Sequence, residues 1–165
     1  MSLLLADANV LIDLGVVGGL RLLPLLGRCE VLSTVLVECQ HASQPTLVAE
    51  ITAAGILTVD VERSLVEAAD AHPAPLLSLQ DRQCLIYARD QGRVLLTGDQ
   101  QLRLEAGGSG VPCHGTIWLV EQAVASGAFS LPELCRWLER WPLRQRRLPP
   151  RDLTRLRTLI GCPLR

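Results

Sequence analysis

The sequence predicts an α/β protein whose mostly parallel central sheet is covered by helices on both faces. Short apolar runs alternate with helix-length segments along the whole chain, the pattern that builds such sheets. The runs are apolar end to end, as in LLLA at 3–6 and VLL at 94–96, which suits strands buried on both sides. At 165 residues, 48% hydrophobic and 20% charged, the chain can bury a core within one ordinary domain and lies outside the disordered class.

The elements follow in order. Residues 2–6 read as a buried strand, 9–14 and 19–26 as helical, the second closed by Gly27, and 29–32 as a strand. Ser33 or Thr34 is positioned to cap a helix to about 41, and Pro45 to open another to about 54, ended by Gly55. A strand at 56–59 precedes a helix at 62–71, which the His72-Pro73-Ala74-Pro75 turn breaks. Ser78 starts a helix to about 91 with Gly92 after it, then come a strand at 94–96 and a helix at 100–105. Gly107-Gly108-Ser109-Gly110 reads as a connector, because it lacks the GK[ST] that marks a phosphate loop. A last strand at 111–114 leads to helices at 116–125 and 130–141, the latter opening Ser-Leu-Pro-Glu as a capping box, and 151–160 forms a final short helix.

Several chemistries are excluded. All 16 basic residues are arginine, so there is no Walker lysine and no Schiff base. The six cysteines show no C-x-x-C pair and no disulfide or zinc framework, and are expected to be reduced thiols, mostly buried. His41 and His114 lie beside Cys39 and Cys113 without the spacing of a tetrahedral site. No apolar run is long enough for a membrane span or a signal segment, so a soluble cytoplasmic protein with no membrane partner is expected. Charge is uneven. Residues 140–165 carry eight arginines against one acid, a net +7, while the preceding part carries eight against sixteen, a net −8.

In doubly wound sheets ligands bind beyond the carboxyl ends of the strands. Asp7 follows the strand at 2–6, and Asp99 follows Thr97-Gly98 after the strand at 94–96. Glu38 falls in the helix after the second strand and Asp81 in the first turn of the helix opening SLQD. Each acid also has a purely local reading. Asp7 and Asp99 could cap helices, Asp81 with Ser78 forms an S-x-x-D capping box, and Glu38 could face solvent. If the four converge, their repulsion calls for a cation, and hard oxygen donors without organised His or Cys suit Mg²⁺ or Mn²⁺. Metal-assisted phosphodiester hydrolysis is the chemistry that follows. Asn9 and Thr97 are polar neighbours suited to orienting a carboxylate, whereas Asp13 and Asp60 read as solvated. Trp137 and Trp141, at i and i+4, read as one packed helix face.

The ordered set D-A-N-x-L-I at 7–12, helical Glu38, Asp81 opening a helix that ends A-R-D-Q-G, and L-L-T-G-D-Q-Q-L at 95–102 resembles the PIN domain, and within it the bacterial VapC-like toxins. The resemblance spans roughly residues 3–125. It implies a three-layer α/β/α fold, a Mg²⁺- or Mn²⁺-dependent endoribonuclease, a small antitoxin partner and a homodimer. It carries the catalytic and metal-binding acids onto Asp7, Glu38, Asp81 and Asp99, with Asn9 and Thr97 in support. Where relatives often have Gly-Glu this chain has Gln80-Asp81, so a shorter carboxylate must reach the site. The expected division is a nuclease domain at 1–127 and a helical, arginine-rich extension at 128–165. Arg144, Arg146, Arg147 and Arg151 of that extension could draw RNA through phosphate contacts, or could pair with the acidic body. The competing function is a catalytically inactive PIN-like module that binds nucleic acid or a partner protein. A phosphatase of another α/β family is disfavoured by the missing lysine.

Overall fold

The structure is a computed structural model and describes residues 1–144 and 148–163. Five parallel strands, β1 (Ser2–Ala6), β2 (Gly27–Leu32), β3 (Leu57–Val59), β4 (Val94–Leu96) and β5 (Cys113–His114), form one sheet in the order β3-β2-β1-β4-β5. Between and after them lie α1 (Ala8–Val17), α2 (Leu22–Leu26), α3 (Ser33–Glu38), α4 (Leu47–Ala53), α5 (Arg63–Ala71), α6 (Leu79–Gln91), α7 (Gln100–Gly108), α8 (Thr116–Ser126), α9 (Leu131–Leu143) and α10 (Pro150–Ile160). The result is the three-layer α/β/α sandwich that the strand–helix alternation predicts.

The order fixes where a ligand can go. The chain runs from β1 outward to β2 and β3, then returns to lay β4 and β5 on the other side of β1. The switch point is therefore the seam between β1 and β4, whose register pairs Leu4 with Val94 and Ala6 with Leu96. Leu4, Leu5, Ala6, Leu95 and Leu96 are buried there, so the seam is rigid up to its carboxyl end. Gly27 lets β2 start hard against β1, since a Cβ would collide with the Ser2 carbonyl.

The last two described helices share the core. Leu134, Trp137, Leu138 and Trp141 of α9 and Leu156 and Ile160 of α10 join the buried cluster of the strands, and α9 packs on α1. The two tryptophans do form one buried face.

Several sequence expectations change. Cys135 and Cys162 are not free thiols but a disulfide, because the packing of α10 on α9 brings their Cα atoms to 5.6 Å, and a separation of 27 residues carries no recognisable spacing. Asp13 is not solvated. It is 7% exposed, Thr116 Oγ1 donates to its Oδ2 at 3.1 Å, and Trp141 Nε1 donates to its backbone oxygen at 2.8 Å, since α9 roofs that face of α1. Neither Ser33 nor Thr34 caps α3. The N-cap is Leu32, and Ser33 Oγ instead accepts from the Val61 amide at 3.2 Å. The helix also stops at Glu38 rather than near 41. α7 runs through Gly107 and Gly108, where Ala106 is buried and its carbonyl accepts from Val111. Asp60 is exposed.

Candidate active site

Asp7 stands at the carboxyl end of β1 and is 1% exposed. Extended backbone makes it the N-cap of α1, with Oδ1 accepting from the Ala8 amide at 2.7 Å. Its Oδ2 accepts from Thr97 Oγ1 at 2.8 Å, with Asn9 Nδ2 farther away at 3.5 Å. The Asp7 amide donates to the Leu96 carbonyl at 2.9 Å, so the seam continues one residue past both strands.

Thr97 is the joint between the two strand ends. While its hydroxyl donates to Asp7, the same oxygen accepts from the Asp99 amide at 3.1 Å. Asp99 is the N-cap of α7, with Oδ1 accepting from Leu102 at 2.8 Å. Asp81 completes a full capping box, its Oδ2 accepting from the Ser78 amide and Ser78 Oγ from the Asp81 amide, both at 3.0 Å. The local reading of Asp7, Asp81 and Asp99 is thus correct for each. It does not exhaust them, because each carboxylate keeps lone pairs that the caps leave unused.

Electrostatics shows which acids feel one another's charge. Burial raises the Asp7 carboxyl above its ordinary range, against the hydrogen bond from Thr97, and the charge of Asp81 raises it further. Glu38, exposed at the end of α3, is raised by partial loss of water and then by Asp7 and Asp81. Cys84 lies buried beneath them, and its thiol is pushed well up by burial and then by Asp7, Asp81 and Glu38 together. Asp7, Glu38 and Asp81 therefore lie within reach of one another's charge. Asp99 is not among the charges acting on Asp7 or Glu38 and is tied to the group through Thr97.

No guanidinium among the described residues pairs with Asp7, Glu38, Asp81 or Asp99. The donors are all hard oxygens, and the raising of Asp7 by Asp81 and of Glu38 by both is what a divalent cation would reverse, so the set fits Mg²⁺ or Mn²⁺ in chemistry. In their present orientations, no three His, Cys, Asp or Glu side chains among the described residues are gathered tightly enough to hold an ion.

Of the expected RNA-binding arginines, the two that are described lie elsewhere. Arg144 lines a separate cleft with Ile12, Thr46 and Leu143, and Arg151 is exposed on α10. Arg146 and Arg147 lie outside the described residues. Arg155 pairs with Glu121 at 2.7 Å, so part of the basic segment binds the protein's own acids. Sequence reasoning missed Arg103, which lines the groove next to Asp99. Its place one turn into the helix that Asp99 opens was the available signal.

A family model described as a PIN domain matches residues 3–161, and the chain belongs to that family. The match takes in α9 and most of the basic segment, farther than the motifs at 7–102 reach. No curated protein and no solved structure matches the chain. Membership makes a nuclease the class of activity to test. Among the described residues no helix is long and apolar enough to cross a membrane.

Proposed function

We propose that the protein is a divalent-metal-dependent endoribonuclease, the toxin of a toxin–antitoxin pair. The observation that carries the nuclease reading is that Asp81 raises Asp7 and both raise Glu38 near the β1–β4 switch point, with no cationic partner for the three among the described residues. Asp7, Glu38 and Asp81 would hold Mg²⁺ or Mn²⁺, with Asp99 joined to them through Thr97. Such an ion supplies neutralisation of the phosphodiester and of its departing oxygen. The chain's own contribution is orientation. Ala8 and Thr97 fix the Asp7 carboxylate from two sides, and the buried seam holds both strand ends in place. The toxin assignment, with a small antitoxin partner and a homodimer in the cytoplasm, rests on the ordered motifs at 7–12 and 95–102.

The test is cleavage of single-stranded RNA by purified protein in Mg²⁺ or Mn²⁺. Cleavage that EDTA stops and that Asp7→Asn abolishes supports the reading. Full activity in Asp7→Asn and Asp99→Asn with the fold intact sinks it.

A second reading, an inactive module that binds RNA or a partner protein, is favoured by one observation: Asp81 and Asp99 are both turned into helix caps. Tight RNA binding without turnover in any divalent metal selects it.

A further inference from the structure

A groove of about 960 Å³ opens on the Asp99 side of the site; Asp7, Glu38 and Asp81 do not line it. It is lined by Asn9 and Asp99 from the site, by Arg103 of α7 and Thr116 of α8, and by Leu148 and Asp152 at the start of α10. Asp99, Asp152 and also Asp13 line it, so a phosphate strand entering it meets repulsion unless a cation is built into the wall.

Arg103 is such a cation. Its amide donates to the Asp99 carbonyl at 3.1 Å, which places it one turn after that N-cap, on the side of α7 that Asp99 occupies. Its guanidinium lies over Gly115, with Nη1 3.3 Å and Cζ 3.6 Å from where a Cβ would stand, so the absence of a side chain at 115 makes room for it. Among the described residues it makes no ion pair, whereas Arg21, Arg93 and Arg155 all do. The Cys113 thiol, raised first by burial, is held down by Arg103 and pushed up by Asp7, which places that thiol within reach of both charges. A planar guanidinium held at a groove wall, hydrogen-bonded to the Cys113 thiol but with no carboxylate on it among the described residues, keeps donors suited to phosphate oxygens.

We propose that Arg103 binds a backbone phosphate of the RNA strand beside the scissile one, and that the groove from Asp99 to Asp152 is the path of that strand. Arg103 then does what the sequence assigned to the basic tail, at a position beside the acids rather than on α10. The proposal rests on RNA being the substrate of the carboxylate site.

The experiment is fluorescence anisotropy of a labelled single-stranded RNA with the full chain carrying Asp7→Asn, which prevents turnover while Asn keeps the cap. Adding Arg103→Ala is expected to weaken binding at least about tenfold and to flatten the slope of log affinity against log salt by about 0.7. Arg103→Lys should keep the slope and recover part of the affinity, which a merely structural role would not do. Equal affinity and slope with Arg103→Ala, or no RNA binding by the parent, overturns the proposal. Cleavage by the native protein separates the two readings. If it cuts RNA and Arg103→Ala binds RNA unchanged, Arg103 alone is wrongly assigned. If it cuts nothing and Arg103→Ala loses RNA, the nuclease reading falls and the phosphate role stands.

Discussion

Glu30 and Asp7 are both buried carboxylates on adjacent strands, 3% and 1% exposed, yet the protein treats them in opposite ways. Glu30, on β2, takes both arms of Arg93 at 2.9 and 3.2 Å and the Tyr87 hydroxyl at 3.0 Å, with Arg28 at 3.6 Å. Burial works to raise its carboxyl, but Arg93, Tyr87 and Arg28 together hold it below the usual range. Among the described residues Asp7 has only an amide, a hydroxyl and a distant side-chain amide, and burial with the charge of Asp81 leaves it raised. One charge is completed within the chain. The other is left to be completed from outside, which is costly in a folded protein and makes sense for a site that takes a cation.

The comparison can be broken most strongly at Asp7. Asp7→Asn keeps an N-cap and removes the charge, so cleavage of RNA should fall at least about 100-fold, beyond what loss of an outer partner gives, with the melting temperature little changed. Glu30→Gln should do the reverse. Leaving the Arg93 guanidinium, 15% exposed, without its carboxylate should cost about 3 kcal/mol in denaturant unfolding while turnover per folded molecule is kept. Thr97→Val sharpens the contrast by cutting the link between Asp7 and Asp99, and cleavage or metal affinity should drop about 10- to 100-fold.

The smallest effect is in pH. The Glu30 carboxyl is lower in the folded than in the unfolded chain, so its contribution is fully present above the ordinary carboxylate range. It is lost as pH falls through the depressed folded value. Unfolding free energy followed from pH 7 downward should therefore decline less steeply in Glu30→Gln than in the native chain.

Much of this was legible in the sequence, and for physical reasons. Strand ends that run into Asp7 and Asp99 mark the carboxyl edge of the sheet, where an acid caps the next helix and can also face a ligand. Glu38 and Asp81 were legible through their order behind Asp7. What was not legible depends on chain segments far apart. Glu30 sits inside CEVL, and its partner Arg93 is 63 residues away, so only the sheet order shows the pair. The available signal was a charge in the middle of a buried run, with Arg93 standing just before the strand at 94–96. Asp13 reads as solvated until α9, more than a hundred residues later, covers it. The Cys135–Cys162 bond depends in the same way on how α10 lies on α9. Nothing in the sequence around Gly115 shows that Arg103 lies over it.

The claim that the crevice acids await a divalent cation is tested most directly by calorimetric titration of Mn²⁺ into the native protein and into Asp7→Asn. The account predicts saturable binding by the native chain that Asp7→Asn loses, with Glu30→Gln binding as the native chain does. No binding by the native chain, or equal binding by Asp7→Asn, would contradict it.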